Sequence, residues 1–138
     1  MTTSGTFPAY SAQTMASLRL DGFSEEEKRR LVEDVFEDNI DFLSDTLDAD
    51  QYVNALRAKR SLRPDHADEI FQATTWTRKN NILLSALRRS DDPLRALSNL
   101  IDVINSKGYQ PHVAKQLSQS FARKKRHFRE SRGSALRS

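Results

Sequence analysis

Cysteine is absent from the 138-residue chain, and glycine is scarce. Without cysteine the protein has no disulfide, no thiolate zinc site and no cysteine nucleophile. The glycines are too far apart for a phosphate-binding loop or a nucleophile elbow; they are Gly5, Gly22, Gly108 and Gly133. These absences argue against the usual forms of thiol and nucleotide catalysis.

Long apolar runs are also missing, and the mean hydropathy is -0.70. We therefore expect no membrane span, and the first residues lack the basic and apolar segments of a secretory signal. No stretch alternates convincingly between apolar and polar residues, which argues against strands. The expected location is the cytoplasm, with import into the nucleus through a basic tail as the alternative.

What the chain does contain is a series of helix signals. Ser24 and Glu27 form a capping box, which predicts a helix from about residue 25 with a bend near Asp38-Asn39. Asp48 with Gln51 repeats that pattern for a second helix. Pro64 suits the first position of a third, because its missing N–H would lack a partner there. A fourth covers residues 76–90, Asp92-Pro93 starts a fifth that Gly108 ends, and a sixth follows Pro111.

Apolar residues recur near the 3.6-residue helical period in each segment, which predicts one buried face per helix. The predicted core consists of Leu31, Val32, Val35, Phe36, Ile40, Leu43, Leu47, Tyr52, Val53, Leu56, Leu62, Ile70, Phe71, Trp76, Leu83, Leu84, Leu87, Leu94, Leu97, Ile101, Ile104, Val113, Ala114, Leu117 and Phe121. The pattern predicts an all-α, six-helix antiparallel bundle over residues 25–120. A flexible arm (1–24) precedes it and a basic tail (121–138) follows.

Catalytic and metal-binding sets are weak. Of the three histidines only His66 has acids at helical spacing, and His66 with Glu69 supplies two ligands, fewer than a stable metal site needs. A general acid needs a desolvated carboxyl group with a raised pKa, whereas we expect the acids of the first helix to be solvent-exposed. We expect no enzymatic activity, no cofactor and no metal.

Charge is distributed unevenly. Residues 123–138 contain seven basic residues and one acidic residue, whereas residues 25–50 contain eleven acids against three bases. The tail cluster comprises Arg123, Lys124, Lys125 and Arg126. Such a run attracts nucleic acid, anionic lipid or a nuclear import receptor, or merely keeps the protein soluble.

Residues 33–119 resemble the caspase recruitment domain (CARD) of the death-fold superfamily. The similar pieces, in order, are "DNIDFLSDTL" (38–47), "DADQYVNALRAKRSLRPDHADEI" (48–70), "TTWTRKNNILLSALRRS" (74–90) and "PLRALSNLIDVINSKGYQPHVAKQL" (93–117). The chain departs from the family at Arg89-Ser90-Asp91, where Arg-Gly is common. It lacks the charged Arg-x-Asp-Leu triplet of death-effector domains, which favours the CARD branch.

The resemblance implies a non-enzymatic adaptor or regulator in apoptotic or innate-immune signalling. Its partners would be other CARD-containing proteins (caspase, adaptor or sensor) or the chain itself, in oligomers or filaments. Opposite charges on separate faces of the third and fourth helices would steer that contact, and the second helix offers a further basic cluster. The candidate interface residues are Asp65, Asp68, Glu69, Arg78, Lys79, Arg88, Arg89, Arg57, Lys59 and Arg60.

A second interpretation comes from another class of protein. The chain would be a small helical nucleic-acid-binding protein that acts through its basic C-terminal tail. Binding of this kind releases counterions and depends steeply on salt concentration, whereas docking between helical bundles does not require phosphate contacts.

Overall fold

The computed structural model describes residues 22–108 and 110–137, with side chains through residue 131. Its helices are α1 (Glu25–Asp38), α2 (Ile40–Thr46), α3 (Ala49–Ala58), α4 (Pro64–Gln72), α5 (Trp76–Arg88), α6 (Pro93–Lys107) and α7 (Pro111–Arg137). These residues include no strand, so the predicted all-α class is confirmed. Most of the predicted flexible arm, residues 1–21, lies outside the described residues.

The helices share one apolar core, and α5 is its central element. α5 packs against α1, α2, α3, α4 and α6, while α7 lies against α1 and α6. Most of the predicted core residues are buried, including the fully inaccessible Phe36, Tyr52, Leu83, Leu97 and Phe121. The helical period therefore predicted most of the buried positions correctly, because each apolar face repeats within a single segment.

The start of α1 follows its sequence signal closely. The Glu27 N–H donates to the Ser24 hydroxyl over 3.1 Å, and the Ser24 N–H donates to the Glu27 carboxylate over 2.9 Å. Three glutamates occupy the first turn, where the helix macrodipole favours negative charge. The predicted capping box is confirmed.

At Asn39 the chain makes a complete break between α1 and α2 rather than the predicted bend. The buried Asn39 amide donates to the Val35 carbonyl over 2.7 Å and to the Ser120 hydroxyl over 3.0 Å. Its oxygen accepts from the Gln116 amide over 3.0 Å. These bonds fasten the break to α7, which explains how a polar residue is accommodated there.

Two aromatic residues of the predicted core are exposed. The spacing predicts buried Phe71 and Trp76 side chains, but they are 46% and 50% exposed. Trp76 occupies the first position of α5, and its indole N–H donates to the Asp45 carbonyl at the end of α2 over 3.0 Å. On α4, Ala67 and Ile70 form the buried face, and Phe71 lies outside it. Both predictions were wrong. Trp76 lies at the end of its helix, where its indole N–H binds the Asp45 carbonyl, and Phe71 lies beside the buried face of α4 rather than on it.

The corner between α2 and α3 depends on hydrogen bonds from distant side chains. The last carbonyls of α2 have no partners within the helix, and three of them accept from side chains elsewhere in the chain. The pairs are Ser44 with Asn80 (2.9 Å), Asp45 with Trp76 (3.0 Å) and Thr46 with Gln110 (2.7 Å). The short helix α2 is therefore held at its C-terminal end by α5 and by the connection between α6 and α7.

The predicted second capping box, Asp48 with Gln51, is not formed at this corner. Asp48 is the residue before α3, but its side chain does not cap the helix. The Ala49 N–H donates instead to the Asn80 oxygen over 3.1 Å. Asn80 is only 1% exposed, so a single buried amide satisfies backbone groups on both sides of the corner.

α3 ends in a turn that glycine usually forms. The Ser61 N–H donates to the Leu56 carbonyl and the Arg60 N–H donates to the Arg57 carbonyl, which is the Schellman pattern. Arg60 therefore adopts a left-handed conformation with φ of 62°. An arginine there costs roughly 1–2 kcal/mol relative to an ordinary helical conformation.

The last two helices begin at the residues that the sequence predicts, and α6 ends at Gly108 as predicted. The Asp92 carboxylate accepts from the Arg95 N–H over 3.2 Å, Pro93 takes the first position of α6, and Gly108 ends it at φ of 79°. α7 begins at Pro111 and continues to Arg137. The predicted boundary between bundle and tail, at residue 120, lies inside this helix.

Replacing Asn80 by alanine tests the role of the α2–α3 corner. We expect Asn80→Ala to lower the free energy of unfolding by about 2–4 kcal/mol, because the Ala49 N–H and the Ser44 carbonyl lose their buried partner. Urea denaturation measures this difference. Asn54→Ala, at an exposed position of α3, is the matched control and should stay within about 0.5 kcal/mol; equal losses in the two variants would contradict the assignment.

Candidate protein-interaction surface

Two of the four candidate basic residues of the fourth predicted helix, residues 76–90, are paired within the chain. The Lys79 ammonium lies 2.8 and 3.0 Å from the two Asp50 carboxylate oxygens on α3. Arg88 donates to Glu33 and Glu37 on α1. The hydrogen bond to Glu33 is the main cause that raises the pKa of Arg88, against the opposing effect of burial. Lys79 and Arg88 thus connect helices inside the bundle.

The other two are Arg78 on α5 and Arg89 directly after its end; both are exposed and form no ion pair with a described residue. Both line a groove between α4 and α5 together with His66 and Glu69. The expectation of opposite charges on separate faces is therefore wrong for Glu69, since α4 and α5 are packed neighbours. This groove combines both signs of charge.

The remaining acids of α4 occupy its outer side. The Asp65 carboxylate lies 3.3 Å from the Arg63 guanidinium in an exposed pair. Asp68, one helical turn further along, is exposed and has no ion-pair partner among the described residues. Exposed pairs such as Arg63–Asp65 contribute little to stability, about 0–1 kcal/mol. Asp68 therefore differs from Asp65, which is paired, and from Glu69, which lines the α4–α5 groove.

The basic cluster of the second predicted helix divides into two parts. Lys59, Arg60 and Arg57 are all exposed at the end of α3. Lys59 and Arg60 line a second groove, which Arg89 and Arg95 also line, whereas Arg57 does not line it. Arg89 therefore borders both grooves, which also share His66 and Ala86.

The basic tail begins as an ordered part of α7. The Lys124 ammonium lies 2.6 Å from the Asp38 carboxylate at the end of α1. Four residues later, the Phe128 ring packs against the Phe23 ring with centroids 5.8 Å apart, and the Arg129 guanidinium lies 6.0 Å from the Phe23 centroid. These contacts hold the start of the tail on the N-terminal part of the bundle.

The other tail residues differ in exposure. Arg123 and Arg126 are exposed, three residues apart on one side of α7, while Lys125 is half-buried. One turn of helix thus presents two guanidinium groups to solvent.

Several residues with a defined role were missed by the sequence reasoning. Asn80 and Gln110 were assigned no function, and Trp76 was assigned to the core, yet all three cap α2. A signal for Asn80 exists in the sequence: it shares the helical spacing of Leu83 and Leu87, so it is a polar residue within an apolar stripe. Such a residue requires buried hydrogen-bond partners.

Within the described part of the chain, no three His, Asp or Glu side chains are grouped so that they could hold a metal ion. None of the described helices combines the length and the apolar character needed to cross a bilayer.

The fold and its surface define an all-α helical bundle with grooves lined by charged residues. Comparison with known proteins found no matching protein family, no matching curated protein and no matching solved structure.

Removing the Phe23 ring tests the docking of the tail. We expect Phe23→Ala to lower the free energy of unfolding by about 2–4 kcal/mol and to speed amide hydrogen exchange in α7 beyond residue 124, because Phe128 and Arg129 lose their partner. Phe71→Ala is the control, since that ring is half exposed. Unchanged exchange in Phe23→Ala would contradict docking of the tail by this contact.

Proposed function

We propose that the chain is a non-enzymatic adaptor or regulator of the CARD type, which acts by binding a second copy of itself or another CARD-containing protein. The observation that carries this proposal is the presence of exposed charges of both signs, Asp68 and Arg78, without ion-pair partners among the described residues. Their neighbours Asp65 and Lys79 are paired within the chain. The remaining charges are available to a partner.

The order of the helices supports the family assignment. If α1 and α2 are counted as one helix broken at Asn39, the described residues form six helices. Their positions follow the quoted segments of the CARD resemblance, from residues 38–47 through residues 93–117. A bundle of this class commonly serves recognition rather than catalysis, and assembly within apoptotic or innate-immune signalling is the role that the resemblance implies.

Arg78 occupies a position that local helix energetics disfavour. It lies in the first turn of α5, and that turn contains no acidic residue. The positive end of the helix macrodipole repels a cation there, at a cost of about 0.3–1 kcal/mol. The ion pair with Asp50 offsets this repulsion for Lys79, whereas Arg78 forms no ion pair with a described residue. A residue that weakens its own helix without internal gain is a candidate for a function at the surface.

Asp68 and Arg78 lie on adjacent helices of the same molecule. For Arg78 of one copy to meet Asp68 of the next, the two copies must use different patches. Such a contact is head-to-tail, and it propagates into a ring or a filament. Charge complementarity of this kind sets the register and the association rate more than the affinity.

Charge reversal tests the proposed contact. We expect Arg78→Glu or Asp68→Lys to weaken self-association or CARD-partner binding about tenfold or more, equivalent to ~1.4 kcal/mol, and the double variant to restore it if the two residues meet. Sedimentation velocity at moderate salt measures the association. Arg78→Glu should also leave thermal stability equal or higher, because it places an acid in the first turn of α5.

Lys115→Glu is the matched control. Lys115 is exposed on α7, which packs against α1 and α6 rather than against α4 or α5. Its reversal changes the net charge as much as Arg78→Glu does. Equal weakening by Lys115→Glu would show that total charge, and not the α4–α5 surface, controls association.

A second candidate function rests on the exposed pair Arg123 and Arg126. Both lie on an ordered helix, so they could bind adjacent phosphates of nucleic acid. We expect Arg123→Gln with Arg126→Gln to reduce the slope of log affinity for duplex RNA or DNA against log salt by about 2, while helical content stays constant. Fluorescence anisotropy measures the slope; salt-independent or absent binding by the unaltered chain would eliminate this function.

A further inference from the structure

The second groove, formed where the end of α3, the end of α5 and the start of α6 meet, concentrates positive charge. Five basic side chains line it, together with His66, against the two acids Asp91 and Asp92. The basic residues are Lys59, Arg60, Arg63, Arg89 and Arg95. Its volume is about 710 Å³, within the range of small-molecule sites. We propose that this basic groove binds a compact polyphosphate, a small molecule that carries several phosphate groups.

Internal neutralisation of the groove is incomplete. Arg63 pairs with Asp65 at the rim. The Asp92 carboxylate accepts from the Arg95 N–H as the cap of α6, so part of its hydrogen-bonding capacity is committed to the backbone. Lys59, Arg60 and Arg89 form no ion pair with a described residue. Together these cations create a positive field that a polyanion would neutralise.

Two of the groove's cations occupy positions that are locally unfavourable. Arg60 adopts the left-handed conformation that glycine usually adopts at a helix end. Arg95 lies in the first turn of α6, where the macrodipole opposes positive charge. The two energetic costs have different physical origins, yet both residues place a guanidinium group at the same groove. A ligand that binds these side chains would explain why the less costly glycine or acid is absent.

The chemistry of the lining narrows the ligand class. Four of the five cations are arginines, whose planar guanidinium groups match phosphate oxygens in pairs of hydrogen bonds. The lining includes no Phe, Tyr or Trp ring, so a nucleobase would have only the His66 imidazole and the guanidinium planes to stack on. Apart from aliphatic stems, its apolar surface comes from Ala86 and Ala96. The groove therefore fits phosphates clustered on a small polar scaffold, such as an inositol polyphosphate.

Arg60→Gly separates ligand binding from folding. Glycine removes the guanidinium and also relieves the left-handed backbone, so the urea midpoint should rise or stay constant while binding falls. Isothermal titration calorimetry with inositol hexakisphosphate in 150 mM NaCl measures binding. We expect one site per chain, with at least tenfold weaker binding for both Arg60→Gly and Arg95→Gln.

Arg57→Gln is the matched control, because Arg57 lies one turn before Arg60 and does not line the groove. The affinity of Arg57→Gln should stay within twofold of that of the unaltered chain, and the same holds for Lys115→Gln at an exposed position of α7. Equal loss in these controls, or no loss in Arg60→Gly, would overturn the groove as the site. Absence of binding by the unaltered chain would overturn the proposal itself.

Two further measurements distinguish the source of the phosphates and the competing occupants. Flotation with vesicles that contain a bisphosphorylated phosphoinositide, compared with phosphatidylserine vesicles, tests a lipid headgroup; selective flotation lost in Arg60→Gly would assign the phosphates to a lipid. ATP should bind more weakly than inositol hexakisphosphate, and the reverse order would contradict the absence of base recognition. Self-association is measured separately, so its failure leaves this result interpretable.

Discussion

The polar backbone groups at the α2–α3 corner must be hydrogen-bonded within the protein, and the placement of the central helix depends on how this is done. Asn80 of α5 donates to the Ser44 carbonyl and accepts from the Ala49 N–H. Each buried group left unpaired would cost about 1–3 kcal/mol. A rotation of α5 by one residue, about 100°, would break both bonds. This constraint fixes the rotation of α5, and therefore fixes which of its basic residues face other helices and which face solvent.

Most helix ends depend on neighbouring residues and were predictable from the sequence, whereas contacts between distant residues were not. The Asp48–Gln51 capping box is the exception among the local signals, because the Asn80 oxygen accepts from the Ala49 N–H instead. The Ser24 capping box and Gly108 mark helix ends because their partners lie within a few residues. The corner bonds join residues at least 31 positions apart, so a local pattern can show that Asn80 is a polar residue on an apolar face but cannot name its partners. Trp76 illustrates the difference: its spacing matches the apolar stripe, but its N–H is required at the end of α2.

The same distinction applies to the candidate site. Sequence reasoning grouped Arg78 with Lys79, although adjacent helical residues point about 100° apart. Lys79 faces Asp50 on α3 and Arg78 faces solvent. Composition therefore predicts a charged surface, while only the packing of α3 and α1 on α5 shows which charges are already paired. The candidate interface residues are therefore narrowed to those whose charges are not paired within the bundle.

Arg89 connects the two proposed sites, because it lines both the α4–α5 groove beside Arg78 and the basic groove beside Arg60. If both proposals hold, a polyphosphate in the basic groove would neutralise Arg89 and lower the positive potential at the Arg89 end of the α4–α5 groove. Arg78 lies eleven residues away, about 16 Å along a helix, whereas screening acts over about 8 Å at physiological salt, so the effect acts on a partner that reaches Arg89. A polyanion would then weaken docking of an acidic partner surface, and by thermodynamic reciprocity a docked partner would weaken polyanion binding by the same factor. This coupling requires no helix to move, because Arg89 lines both grooves.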